Sequence, residues 1–86
     1  MEIKIIQASM TKDDENGYVG KVHFEVDGHR EPYEIVLQSK RGREWGYSLT
    51  FLGESGPDGL IDLVDDYLDE NDDAFDMLVE AARQTL

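Results

Sequence analysis

The residues most suited to chemistry are carboxylates, crowded into one stretch. Asp62, Asp65, Asp66, Asp69, Glu70, Asp72 and Asp73 fall within twelve positions that contain no lysine or arginine. In a helix ending near residue 70, Asp65, Asp66, Asp69 and Glu70 occupy the final turns, where the carbonyl dipoles already disfavour negative charge. Each such charge costs about 0.3–1 kcal/mol at low salt. The pairs Asp62/Asp66 and Asp65/Asp69 sit four residues apart and repel, adding about 0.2–0.5 kcal/mol each. By contrast, Asp72, Asp73 and Asp76 would open a second helix, where acids are favourable.

Three functional readings follow. The carboxylates can meet a basic surface on another protein, where charge complementarity raises association rate and specificity. A sharper form of this is nucleic-acid mimicry, with ranks of carboxylates standing in for phosphates. Alternatively the chain can neutralise itself, if the 69–73 break returns beside Lys40, Arg41 and Arg43. A divalent-metal module is the reading from a different class: Asp69, Asn71, Asp73 and Glu80 fall at positions 1, 3, 5 and 12 of a calcium-loop spacing. That match is weakened by Ala74 where the sharp turn wants glycine, and by Asp76 where an apolar residue is usual. Beside all of these stands a plain one, a solvated helix face that keeps the protein soluble.

Other chemistry finds little support. The sequence has no cysteine, which excludes disulfides, thiolate metal sites and thiol nucleophiles. His23 alternates with Val22 and Phe24 and is expected on a wet sheet face, and His29 belongs to a turn. Neither has a partner at a triad or metal spacing. No phosphate-binding glycine pattern occurs. General acid catalysis needs a carboxyl in a dry pocket, and these lie on polar faces. A non-enzymatic protein without a cofactor is therefore expected.

The net charge is −12 over 86 residues, and it is unevenly spread. Residues 1–53 carry nine acids and seven bases, whereas 54–86 carry eleven acids and one base, Arg83. Such a surface repels nucleic-acid phosphates and anionic headgroups, so direct binding to either is disfavoured. The hydrophobic share of 40% is that of a folded chain. The N-terminal apolar run is short and interrupted by charge, and no stretch is long enough to span a membrane. A cytoplasmic protein, monomeric or weakly dimeric, is the expectation.

The elements that must position the acids are legible from periodicity. Ile3/Ile5, Val22/Phe24/Val26, Tyr33/Ile35/Leu37 and Trp45/Tyr47/Leu49/Phe51 alternate with polar residues, as half-buried strands do. Asp27-Gly28 and Arg41-Gly42-Arg43 are turn signals, and residues 10–17 read as a longer polar loop. Beyond Gly53 the period changes. Ser55-Gly56-Pro57-Asp58 opens a helix with the stripe Leu60, Ile61, Val64, Tyr67 and Leu68. Asn71 or Asp72 caps a second helix, with the stripe Phe75, Leu78, Val79, Ala82 and Leu86. The expected fold is a single α+β domain over 1–86: a four-stranded antiparallel meander covered on one face by two C-terminal helices. Ile6, Val19, Val36 and Leu52 should be scattered over the uncovered face.

Overall fold

A computed structural model describes all of residues 1–86. Four strands, β1 (Ile3–Asp13), β2 (Gly17–Val26), β3 (Tyr33–Ser39) and β4 (Gly46–Phe51), form one sheet in the order β1-β2-β3-β4, every neighbour antiparallel. Two helices follow, α1 (Asp58–Glu70) and α2 (Asp72–Arg83). This is the α+β meander that the alternation predicts.

The period-two pattern places Val22, Phe24, Val26, Tyr33, Ile35 and Leu37 on one face, all buried. Val64 and Leu68 of α1 and Leu78, Val79 and Ala82 of α2 close over them in a single core. Gly20 lets α2 come close: a Cβ there would lie 2.8 Å from Met10 Cε and 3.3 Å from Ala82 Cβ.

The first hairpin differs from the expected loop over 10–17. Both strands continue to a tight turn, pairing Met10 with Gly20 and Lys12 with Tyr18. Alternation persists there because Ala8 and Met10 still face inward, Met10 fully buried. Lys12 stays on that face by laying its ammonium 5.2 Å from the centre of the Tyr18 ring. Gly17 ends the turn at φ 73°, pressed so close to β3 that a Cβ would meet the Ser39 carbonyl oxygen at 2.5 Å.

Two smaller corrections concern chain ends and caps. Leu86 is 60% exposed, because α2 stops at Arg83 before the stripe reaches it. Asn71 occupies the N-cap position of α2, its carbonyl accepting from Ala74 and Phe75 N–H, but its side chain makes no cap there. Its amide instead donates to the Tyr67 carbonyl at 2.9 Å and so closes the end of α1. On the uncovered face, Ile6 sits at a bulge of β1 and Leu52 beyond the end of β4, on opposite edges of the sheet. The four apolar residues there do not form one patch.

Candidate functional site

The helix layer gathers the carboxylates. Asp62, Asp65, Asp66, Asp69 and Glu70 project from the exposed faces of α1, and Asp72 and Asp73 from the first turn of α2. The burial of Val64, Leu68, Leu78 and Val79 turns these acids outward, so the apolar stripe and the acidic face are one fact seen from two sides. The last turn of α1 holds no base. At the far end of α2, Arg83 complements the helix dipole and lies 5.9 Å from the Tyr18 ring centre.

The acids stay unneutralised. No lysine or arginine lies within 4.0 Å of a carboxylate, and the one imidazole–carboxylate contact is a hydrogen bond of 2.9 Å between His23 Nε2 and Glu34 Oε2 across β2 and β3. Both residues face the uncovered side of the sheet, as the alternation requires. Lys40, Arg41 and Arg43 line a separate cleft of about 680 Å³ at the β3–β4 turn to which no hydrophobic residue contributes, with no carboxylate within ion-pairing distance. Gly42, at φ 79°, shapes that turn, and its N–H donates to Ser39 Oγ at 2.8 Å. The α1–α2 corner does return to this end of the sheet, since Phe75 packs on Tyr47 with ring centres 5.4 Å apart. Proximity of the corner to the turn does not become ion pairing.

A tyrosine meets the carboxylates instead. The Tyr47 hydroxyl donates to Asp65 Oδ1 at 2.5 Å. Desolvation, followed by the Asp65 hydrogen bond and the charges of Asp65, Asp69 and Asp66, holds this phenol above its usual ionisation range. From the alternation alone Tyr47 reads as a core residue. Only the β3–β4 register and the seat of α1 bring it to Asp65.

Two apolar side chains lie among the acids. Leu63 is 55% exposed and Met77 43% exposed, both off the stripes that the helical period assigns to the core. A cleft of about 430 Å³ opens between β4 and α1, lined by Tyr47, Ser48, Leu49, Ile61, Asp62 and Asp65. Here the core is thinly covered: Tyr47, Leu49 and Phe51 are only half-buried, whereas their β3 partners Leu37, Ile35 and Tyr33 are sealed.

The calcium-loop spacing of Asp69, Asn71, Asp73 and Glu80 spans the helix corner and most of α2, so the segment is helical where a twelve-residue loop would be required. No group of three or more acidic or imidazole side chains is arranged to hold a metal ion. His29, from the second turn, has its Nδ1 2.8 Å from the Tyr33 hydroxyl and thereby satisfies a buried phenol. No helix is long and apolar enough to cross a membrane. No protein-family model matches the chain, and neither curated proteins nor solved structures show a similarity to it.

Proposed function

We propose that this domain is a non-enzymatic interaction module whose helix layer docks on a basic surface of another protein. The observation that carries the reading is the absence of internal compensation. None of the eleven acids in residues 54–86 has an ion-pair partner, although the chain holds eight bases. Crowding like charges against the C-terminal dipole of α1 costs stability, and a cationic partner returns that cost on binding. Leu63 and Met77 add exposed apolar contact within the acidic field, a combination suited to a surface that buries some area as well as neutralising charge. A partner that itself binds nucleic acid fits this chemistry, the carboxylates taking the place of phosphates. A cysteine-free chain accords with a cytoplasmic setting.

The test replaces Asp62, Asp65, Asp66 and Asp69 together with Asn and compares affinity capture at low and high salt. Wild-type protein should retain a basic partner at low salt and release it at high salt. The variant should stay folded by circular dichroism and retain nothing. Equal capture by the two proteins would remove the proposal.

A further inference from the structure

We infer that the partner's contact segment is an extended, basic stretch of chain that adds to β4 as a fifth strand, with alternate lysines or arginines reaching Asp62 and Asp65. The inference rests on the docking function proposed above and adds the mode of recognition. β4 is a free edge, paired with β3 alone. Leu52 N–H donates to the Pro32 carbonyl at 3.0 Å, and with the Tyr33–Phe51 register this fixes which backbone groups are spoken for. Antiparallel alternation then turns the N–H and C=O groups of residues 46, 48 and 50 toward β3 and those of Tyr47, Leu49 and Phe51 outward. Their side chains face the helix side, where the cleft under α1 leaves Leu49 and Ile61 half-open and places Asp62 and Asp65 on its rim.

Exposed edges are ordinarily guarded by charge, proline or a bulge. β1, the other edge, carries Lys4 and Lys12 and a bulge at Ile6. β4 reads Gly-Tyr-Ser-Leu-Thr-Phe and carries none of these. A strand laid there would fill open main-chain positions. Every second side chain could run its aliphatic stem over Leu49 and Ile61 while its cationic head meets a carboxylate. A second copy of this chain is the poorer occupant, because pairing two β4 edges brings two −12 molecules together with both carboxylate rims at the seam.

The probe is a ten-residue peptide of alternating Lys and Thr, titrated into the full chain while amide hydrogen exchange is followed. Binding should newly protect the amides of Tyr47, Leu49 and Phe51. Two further peptides of the same sequence carry N-methyl groups, one on the lysines and the other on the threonines. One of them should bind at least tenfold more weakly and the other nearly normally, since only alternate residues of an added strand face the edge. Asp62→Asn with Asp65→Asn should weaken the unmodified peptide and leave the fold intact. Equal affinity for all three peptides, or binding without protection in β4, would overturn strand addition while leaving carboxylate docking standing. Protection of the same amides on concentrating the protein alone would overturn it in favour of self-pairing. Failure of the quadruple Asn variant to lose partner capture would instead strike the docking reading itself.

Discussion

The two sides of the sheet are finished to different standards. Toward β1, α2 packs on β1 and β2 and buries Met10 and Val22, although Ile3, Ile5 and Ala8 are half-buried, and the edge is interrupted by a bulge and charged at Lys4 and Lys12. Toward β4, α1 covers the inward side chains only halfway, the edge is uncharged, and a cleft remains. The acidic ranks lie on the helix that borders the unfinished side. The difference teaches that stability and availability are separated in this fold: one half makes the core, and the other leaves backbone, apolar surface and charge open together.

That comparison can be broken first in the core. Leu78→Ala, on the sealed side, should cost about 2–5 kcal/mol in urea denaturation, because a fully buried side chain is lost and a cavity remains. Ile61→Ala, beside the open cleft, should cost about 1 kcal/mol, since its side chain is only half-buried. Equal losses would mean that the two sides are packed alike. Next comes the turn that closes the β1 side. Gly17→Ala should destabilise by about 1–3 kcal/mol, combining a positive φ with a collision against β3, and more than Gly28→Ala, whose φ is 86° but whose Cβ would meet nothing. Thermal melts of the two variants would decide it.

On the acidic side the sign should reverse. Asp66→Asn should raise stability by about 0.3–1 kcal/mol at low salt, with the gain shrinking as salt is added, while weakening any cationic partner. A loss of stability would show that the carboxylate is compensated within the fold. The smallest effect at neutral pH concerns Tyr47. Its folded ionisation lies above that of a free phenol, so the unfolded chain gives up this proton first. The stabilisation is therefore complete below about pH 10 and declines as the pH rises beyond it. Tyr47→Phe should flatten part of the alkaline decline in stability, and an unchanged slope would sever the link between Tyr47 and the acids.

The strands and helices were readable because each needs one buried face. Val22-His23-Phe24 cannot form a strand without sending His23 to the other side, and Leu60 to Leu68 cannot form a helix without gathering Asp62, Asp65, Asp66 and Asp69 away from the core. The first hairpin was harder, since the polar run Lys12 to Asn16 reads as loop and its inward lysine is tolerated only because the Tyr18 ring lies across the ladder. Asn71 stands at the N-cap of α2 as the sequence suggests, but either neighbouring helix can take its amide, and only the bend between them assigns it to Tyr67.

Sequence alone thus determined the fold class, the faces and the charge asymmetry, all of which follow from periodicity and local residue type. Tertiary structure alone decided that Lys40, Arg41 and Arg43 stop short of the carboxylates, that Tyr47 reaches Asp65, and that β4 is left half-covered. Those outcomes depend on how far α1 lies from the sheet and on which strand it sits above, distances set by the packing of Val64, Leu68 and Phe75 that no local pattern encodes.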